Sequence, residues 1–422
     1  MSTESPRHAV VVGAGIVGIC CAIELKRRGF TVTVIDRLDP GEACSFGNAG
    51  ILAAQAVVPI AMPGVIGQVP RMLFDPDSPL AVRPRALPKT LPWLWHFYRA
   101  TRRDKVTRTA DAMKALYGTT VELHEQLARE AGVPELVVTT RYLYVARNRA
   151  KADTANDFAW RLRRERGGEI EVFDGPALHE IEPELSRAYT RGVRLGPMAR
   201  TTNPFRLTRA YAELLRRQGG TIVRGEVKAL RPAAGGGVEI EATRGPRHAD
   251  IAVVAAGAWS LRLLEPLGLK LPLIAERGYH MTFADPGITL RHAVSELERH
   301  FTVSNMEMGL RLAGTEELGH ADDPPTWRRA AVLQRLGQEM FPNLNVAKGS
   351  PWSGPRPGIP DSLPAIGPLP GHPNIFIACG HGHLGLTGAP NTGRIVAGLA
   401  AGERINLDLA PYAADRFAAS AS

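Results

Sequence analysis

The segment HAVVVGAGIVG (residues 8–18) decides the fold of this chain. Its apolar start, residues 10–12, is typical of a central parallel strand that is covered on both faces. Residues 16–28 then have the pattern of a helix with basic residues in its last turn. Residues 31–35 alternate as a second strand, which ends at Asp36. The sequence therefore predicts a βαβ unit of the kind that binds dinucleotides.

Each glycine of this motif has a separate physical role. Gly13 allows a tight turn, Gly15 lets the backbone approach a pyrophosphate, and Gly18 lets helix and strand pack closely. The pyrophosphate is expected at the helix N-terminus, and Asp36 is expected to accept a hydrogen bond from a ribose hydroxyl. A glycine-rich turn that binds nothing is the alternative. The strand, the helix and Asp36 around the motif favour the dinucleotide.

Composition narrows the class of protein and its partners. A chain of 422 residues exceeds one simple core, so two domains are expected. The net charge of +9 is spread over scattered arginines, which argues against a nucleic-acid partner and leaves weak attraction to an anionic membrane surface open. The four cysteines form no C-x-x-C pair. No metal or iron–sulfur centre is expected, and the cytoplasm is the expected compartment.

The remaining segments alternate between helical and strand patterns. Helices are predicted over residues 93–132, and a charged helix over residues 151–168. Residues 251–256 form an apolar strand that runs into small residues, which fits backbone passing close to a cofactor. Short strands follow between residues 270 and 314, the first of them over residues 271–274. These later strands are expected to belong to a second domain.

Six motifs together resemble those of the bacterial D-amino-acid dehydrogenases, in the wider FAD-dependent family that includes D-amino-acid, glycine and sarcosine oxidases. The resemblance covers nearly the whole chain and keeps the order of the motifs. The motifs are VVVGAGIVG (residues 10–18), VTVIDR (32–37), SFGNAG (45–50), RGY (277–279), WSGPRP (352–357) and GHGHLGLT (380–387).

The resemblance implies an α/β fold with a Rossmann-like FAD-binding domain and an α+β substrate domain whose antiparallel sheet covers the isoalloxazine ring, an architecture like that of p-hydroxybenzoate hydroxylase. Each domain is expected to be assembled from separated segments. The FAD-binding segments are 1–84, 193–269 and 349–422, and the substrate segments are 85–192 and 270–348.

The same resemblance implies oxidative deamination of D-amino acids by hydride transfer from the α-carbon to flavin N5, with electrons passed to a quinone or another acceptor outside the chain. Three alternatives stay open: a dehydrogenase of D-proline or cis-4-hydroxy-D-proline, which the GHGH segment favours; an oxidase that uses O2; and a flavin-binding subunit of a larger complex. The residues expected to contact FAD are Gly13, Gly15, Ile16, Val17, Gly18, Asp36, Arg37, Ser45, Asn48, Ala49, Gly50, Val227, Gly257, Trp259, Gly382, His383, Leu384, Gly385, Leu386 and Thr387.

Three residues are candidates for work on the substrate. Arg356 lies between two prolines that stiffen the backbone, and a guanidinium binds a carboxylate bidentately; the alternative is an ion pair with a protein carboxylate such as that of Asp361. Tyr279 is expected to wall the pocket and bond the same carboxylate, or else to be a tyrosine of the sheet core. His383, like His381, lies in a glycine-rich loop expected beside the flavin, where either a chemical or a structural role is open.

Residues 57–92 are rich in proline and apolar side chains, so little regular structure is expected there. This segment is either a buried connection or a docking surface. In the second case Arg71, Arg83 and Arg85 beside apolar groups suit peripheral contact with the inner face of a membrane, where electrons would leave the enzyme.

Overall fold

Three β-sheets form the framework of the protein in the computed structural model, which describes residues 6–68 and 80–418. The strands in chain order are β1 (His8–Val12), β2 (Thr31–Asp36), β3 (Ile51–Leu52), β4 (Leu80–Val82), β5 (Val137–Ala146), β6 (Glu169–Asp174), β7 (Arg191–Thr201), β8 (Thr221–Arg224), β9 (Val227–Pro232), β10 (Val238–Ala242), β11 (His248–Ala249), β12 (Ile251–Val254), β13 (Ile274–Phe283), β14 (Ala293–Glu296), β15 (Thr302–Met306), β16 (Gly309–Gly319), β17 (Gly349–Gly358), β18 (Ala365–Leu369) and β19 (His372–Cys379).

The α-helices connect and cover these strands. In chain order they are α1 (Ile16–Arg27), α2 (Leu87–Ala100), α3 (Arg103–Tyr117), α4 (Thr120–Ala131), α5 (Phe158–Glu165), α6 (Pro176–Ile181), α7 (Pro204–Arg217), α8 (Ser260–Leu264), α9 (Arg328–Met340) and α10 (Gly385–Ala400).

The first sheet has the strand order β18-β19-β12-β1-β2-β8 and is parallel except for β18. Its central strand β1 is apolar along most of its length because both faces are covered. One core cluster joins this sheet to α1, α7 and α10, and another joins the opposite face to the small sheet β11-β10-β9. The predicted βαβ unit is confirmed, and its turn lies at the carboxyl end of β1.

The largest sheet has the order β17-β13-β16-β15-β14-β5-β7-β3, with β4 beside β16 and β6 beside β7. Neighbouring strands are antiparallel except for β14 with β5 and β4 with β16. Helix α9 packs on one face with a cluster of buried apolar residues. The predicted α/β class is confirmed, with one mainly parallel sheet and one mainly antiparallel sheet.

Three predicted elements differ from those in the structure. Residues 87–92, expected to have little regular structure, belong to α2, whose Pro88 lies in the first turn and so removes no intrahelical hydrogen bond. The charged segment 151–168 is an α-helix only over α5, because the Asp157 side chain accepts from the backbone N–H groups of Ala159 and Trp160 and so starts the helix there. Residues 271–273 are not paired in a sheet, and β13 begins at Ile274. Pro272 has no N–H to donate to a neighbouring strand.

Two strands of the largest sheet lie at or across predicted domain boundaries. Strand β7 crosses the predicted boundary at residue 193, and β17, which opens the predicted segment 349–422, pairs with β13 in the largest sheet. The domain boundaries themselves stay a prediction. Because β13 and β17 are paired, Arg356 lies on the same sheet as Tyr279.

Within residues 6–68 and 80–418, the structure contains no helix with both the length and the apolar character needed to cross a lipid bilayer.

Candidate cofactor and substrate site

A cavity of about 1580 Å³ lies between the first sheet and the largest sheet. Ordinary ligand pockets hold roughly 300 to 1,000 Å³, so this cavity has room for more than one small molecule. Every residue predicted to contact the cofactor lines it except Gly18 and Thr387, and the three substrate candidates line it as well. The structure therefore brings motifs from both ends of the chain to one place.

The three glycines of the β1–α1 turn differ in what an added side chain would meet: protein backbone at Gly13 and Gly18, and mostly open space at Gly15. Gly13 has φ +114°, and a Cβ there would collide with the carbonyl oxygen of Ala255. A Cβ on Gly18 would collide with the carbonyl oxygen of Gly13, which is why Gly18 packs and does not line the cavity. A Cβ on Gly15 would meet only the Ser45 hydroxyl, at 3.4 Å, and would otherwise project toward the cavity.

Asp36 ends β2 with its carboxylate held at the mouth of this turn. Its Oδ2 accepts from the backbone N–H of Ala14 at 2.6 Å, and its Oδ1 accepts from that of Leu38 at 2.9 Å. A carboxylate has about four acceptor positions, so two remain for hydroxyl groups of a ligand. Next to it the Arg37 guanidinium lies over the Trp259 ring, 4.2 Å from its centroid. This end of the cavity combines hydrogen-bond acceptors with a flat cationic surface.

The loop of residues 45–50 is shaped by its own polar groups. The Ser45 hydroxyl accepts from the N–H of Ile16 at 2.9 Å, which satisfies a free donor at the start of α1. The Asn48 side chain donates to the carbonyl of Ser45 at 3.1 Å and accepts from the N–H of Gly50 at 2.8 Å. Because these side chains hold the loop, the loop offers mainly its backbone to the cavity.

The two histidines before α10 have different surroundings. His381 is buried, and its Nε2 forms a hydrogen bond of 2.9 Å with the Thr392 hydroxyl; burial lowers its pKa to about 3. His383 is exposed to the cavity, where burial of the surrounding site, more than the nearby Arg356, lowers its pKa. Both histidines line the cavity, but the His381 ring is buried and bonded to Thr392, whereas His383 is the more exposed of the two.

Thr387 does not face the cavity, so its predicted contact with the cofactor is corrected. Its hydroxyl donates to the carbonyl of Ile51 at 3.3 Å, and its own carbonyl accepts from the Thr120 hydroxyl at 2.7 Å. The residue is almost fully buried at the start of α10. It fixes this helix against β3 and α4.

Arg356 lies on the edge strand β17, where prolines are tolerated because the outer N–H groups have no partner to lose. Its Nη1 donates to Glu316 Oε1 at 2.6 Å, while Asp361 pairs instead with Arg416 at 2.8 Å. The guanidinium crosses Gly278, where a Cβ would collide with it. A glycine at this position of β13 is thus what allows the Arg356 side chain to reach Glu316.

Tyr279 lies on the other face of the sheet from Arg356. Its hydroxyl donates to Glu317 Oε2 at 2.5 Å and accepts from the backbone N–H of Thr326 at 2.9 Å. Glu317 alternates with Glu316 along β16, so the two carboxylates point to opposite sides. The predicted bond from this hydroxyl to a substrate carboxylate is therefore corrected, because its proton already has a protein acceptor. Tyr279 still lines the cavity, while its ring belongs to the buried cluster that includes residues of α9.

Glu276 is a buried carboxyl group that sequence reasoning missed. It is 4% exposed, lines the cavity, and its Oε2 has no hydrogen-bond partner among the described residues. Burial, and after it the nearby Glu316, raise the pKa of Glu276 to about 8, against the opposing effect of Arg356. A charged residue inside a run of buried strand residues was the signal that could have found it.

The residues around the cavity fit FAD. Gly15, where a side chain would project into the cavity, the Asp36 carboxylate with acceptor positions left over, and the N-terminus of α1 together form a cradle for a dinucleotide. The glycine loop before α10 lies at the other end of the same cavity, beside Arg356 and Glu276. One large group can thus span from Asp36 to the substrate candidates.

Comparisons with known proteins agree with this geometry. The family model described as "DAO: FAD dependent oxidoreductase" matches residues 8–399. A D-amino-acid oxidase from Bradyrhizobium diazoefficiens is 37% identical over 418 residues, covering 97% of this chain and 99% of that protein. A D-amino acid dehydrogenase from Rhizorhabdus wittichii is 32% identical, again over 97% and 99% of the two chains.

Solved structures share the fold at lower identity. A glycine oxidase from Geobacillus kaustophilus superposes with a TM-score of 0.74 at 23% identity, covering 97% of this chain and 99% of its own. An L-proline dehydrogenase from P. horikoshii also gives a TM-score of 0.74, at 21% identity, covering 99% of each chain. At these identities the structures support the architecture alone.

Proposed function

The chain belongs to the DAO family of FAD-dependent oxidoreductases, and from this premise we propose that it oxidises D-amino acids to imino acids, which water then converts to keto acids and ammonia. The observation that carries the proposal is Arg356. Its guanidinium enters the cavity beside the glycine loop of residues 380–385, at the end away from Asp36. A cation at this position suits a small substrate with a carboxylate.

Backbone groups and Asp36 would hold most of the cofactor. The start of α1 and Gly15 would face the pyrophosphate of FAD, Asp36 would accept from the ribose, and the loop of residues 382–386 would meet the ring system. The chemistry that FAD supplies here is acceptance of a hydride from the substrate's α-carbon. The protein's part is to bind, orient and keep water from the reacting carbon.

Arg356 binds the substrate carboxylate in this proposal. A charge-assisted hydrogen bond of this kind contributes about 1.5 to 3 kcal/mol. Glu316 holds one side of the guanidinium, which leaves its other donors for the substrate. His383 lies within the same part of the cavity, where an imidazole kept neutral by its surroundings can hydrogen-bond the substrate without adding charge.

We propose an acceptor other than oxygen, a quinone or an electron-transfer partner reached by docking on the cytoplasmic face of a membrane. Relatives carry both kinds of name, oxidase and dehydrogenase, so the acceptor is the point that an experiment must decide. Helix α2 supports the docking surface. Leu87, Leu91, Trp95 and Tyr98 are 44 to 61% exposed and lie three or four residues apart, on one side of the helix.

The basic residues expected beside this surface need revision. Arg83 is not available, because it pairs with Glu317 at 3.0 Å and donates to Thr326 at the same distance. Arg71 lies outside the described residues. Arg85 is exposed and directly precedes α2. We therefore propose α2 with Arg85 as the membrane-facing surface, in place of the wider segment 57–92.

The test of the proposed function is turnover by the purified, FAD-loaded protein. We expect yellow protein that releases FAD on denaturation and reduces a dye or soluble quinone analogue with D-amino acids but not L-amino acids. A panel that includes D-proline and the hydroxyprolines identifies the side chain preferred. Rapid, stoichiometric peroxide formation in air would replace the dehydrogenase with an oxidase. Protein that carries FAD but oxidises no D-amino acid would end the proposal.

The membrane contact has its own test in binding to anionic vesicles. We expect weak, salt-sensitive binding that Trp95→Ser reduces while dye-linked turnover stays unchanged. Val172→Ser is the control, because Val172 is 39% exposed on β6, beside β7, whereas α2 packs against residues of β13 and β16 toward the other end of the same sheet. Equal loss of binding in both variants would remove α2 from the proposal.

A further inference from the structure

We propose that Glu276 binds the α-amino group of the substrate whose carboxylate lies on Arg356. The inference rests on the proposed function, since it needs an amino acid in the cavity. It adds a second recognition point, of opposite charge to the first. The two points together would select α-amino acids over other small carboxylates.

The first observation is the strand register. Glu276 on β13 lies directly opposite Arg356 on β17, and Glu316 on β16 lies opposite Gly278, two residues further along β13. Residues two apart on a strand share a face, and side chains directly opposite on paired strands are neighbours. Glu276 and Arg356 therefore form adjacent points of opposite chemistry. An α-amino acid carries its amine and carboxylate on one carbon, which matches such a pair.

The second observation is that one oxygen of Glu276 is free. The carboxyl group lies close to Gly358, where a Cβ would collide with Oε1, and its Oε2 is 4.0 Å from the position that a Cβ on Gly382 would take. No described residue donates to Oε2. A buried polar atom without a partner costs about 1 to 3 kcal/mol. A substrate amine in the cavity would supply the missing donor.

The third observation is the balance of charge around Glu276. The charged or titratable groups facing it are Glu316 from β16, Arg356 from β17 and His383 from the loop before α10. Arg356 already has Glu316 as its partner. Glu276 is therefore a carboxyl group without a cationic partner of its own among the described residues. Its raised pKa keeps it protonated near neutral pH in the absence of a further cation. An ammonium group is the cation that this arrangement lacks.

The experiment measures binding of two ligands of nearly equal shape to the FAD-loaded enzyme, monitored by the visible absorption of the flavin. 2-Aminoisobutyrate has an amine and a carboxylate but no α-hydrogen, so it is not oxidised. 2,2-Dimethylpropanoate replaces the amine by a methyl group. We expect Glu276→Gln and Glu276→Leu to change the ratio of the two Kd values by about tenfold or more, because both variants weaken the binding of 2-aminoisobutyrate.

Glu316→Gln is the matched control from the same cluster. Since Glu316 orients Arg356, this variant is expected to weaken both ligands together and to change their ratio much less. A shift of the ratio in Glu316→Gln with none in the two Glu276 variants would overturn the proposal and assign the amine to Glu316. An unchanged ratio in every variant would also overturn it.

Proton counting gives a second readout that a purely structural role would not move. Calorimetry at pH 7 in buffers of different ionisation enthalpy should show release of nearly one proton when 2-aminoisobutyrate binds, whether the carboxyl or the ammonium loses it, and none with 2,2-dimethylpropanoate. Release should vanish in Glu276→Gln. The proposed function fails if the wild-type enzyme binds neither ligand and oxidises no D-amino acid. This inference alone fails if the wild-type enzyme binds the ligands and oxidises D-amino acids, but proton release persists in Glu276→Gln.

Discussion

The two ends of the cavity are built in opposite ways. The end at Asp36 comes mainly from one continuous stretch, β1, the turn, α1 and β2, with Trp259 added from elsewhere, and it presents glycines, backbone amides and the side chains of Asp36 and Arg37. The end at Arg356 comes from three strands that are distant in the chain, and it presents side-chain charges on Glu276, Glu316 and Arg356. Local sequence largely determines the first end, whose backbone surface either accommodates the cofactor or excludes it. Strand pairing determines the second end, whose charged side chains can bind different substrates with different affinities.

The largest effect is expected where the backbone itself is the binding surface. Gly15→Val should abolish FAD retention while the protein still folds, because the new side chain meets little protein and occupies the space of the pyrophosphate. Flavin absorbance per protein after gel filtration measures this. Gly18→Ala is the contrasting variant, and it should lower the yield of folded protein since its Cβ collides with Gly13. Full flavin content in Gly15→Val would show that the turn does not contact the cofactor.

At the charged end, loss of one group should weaken catalysis without loss of flavin. Arg356→Ala is expected to lower kcat/KM by about 30- to 1000-fold, equivalent to roughly 2 to 4 kcal/mol, because the substrate carboxylate loses its partner. Steady-state kinetics with dye as acceptor measures the change. Arg356→Lys keeps the charge but loses the planar guanidinium, so its kcat/KM should lie between those of the wild-type enzyme and Arg356→Ala. Wild-type kinetics in Arg356→Ala would remove this residue from the site.

A smaller effect tests whether geometry, and not charge alone, matters at the second end. Gly278→Ala adds a Cβ where the Arg356 guanidinium lies, so the guanidinium must move. We expect a rise in KM of about tenfold, within the range of one charged hydrogen bond, with flavin content unchanged. Gly235→Ala makes the same substitution in open space and should have no effect. Equal KM values in the two variants would mean that Arg356 tolerates displacement.

The smallest effect concerns stability against pH. Glu276 has its pKa raised to about 8 in the folded protein, so the folded state holds a proton that the unfolded state has released above about pH 5. Stability therefore falls as pH rises from about 5 through 8. We expect the Tm of the wild-type protein to fall by several degrees more than that of Glu276→Gln over this interval, measured on the ligand-free, FAD-loaded form. Parallel Tm profiles would show that the carboxyl group is not held protonated.

The contrast between the two ends also explains what the sequence could predict. The turn, Asp36 and most of the cofactor loops follow from local patterns whose physics is fixed by a few neighbouring residues. Thr387 was misassigned because consecutive residues at the start of α10 point in different directions. Leu386 lines the cavity, whereas Thr387 points into the core, and a sequence motif does not show which way a helix is rotated.

The side chains of the charged end could not be assigned from the sequence for a different reason. All ten residues of β13 are buried, so no alternation of apolar and polar residues indicates which face meets the cavity. Tyr279 was therefore placed with Arg356, although its hydroxyl is on the side of Glu317. Glu276 and Glu316 become partners of Arg356 only through strand pairing, and the pairing is information that no single stretch of the chain carries.

The order of strands in the first sheet has a consequence for biosynthesis. Strand β1 is synthesised before the strands on one side of it: it is flanked by β12, and β12 in turn by β19, which lies several hundred residues further along the chain. The glycine loop that completes the cavity comes directly after β19. A nascent chain can thus form the β1–α1 turn long before it can enclose a cofactor. Flavin loading is expected only after β19 and the glycine loop have been synthesised, and the unpaired edge of β1 must be protected from aggregation until then.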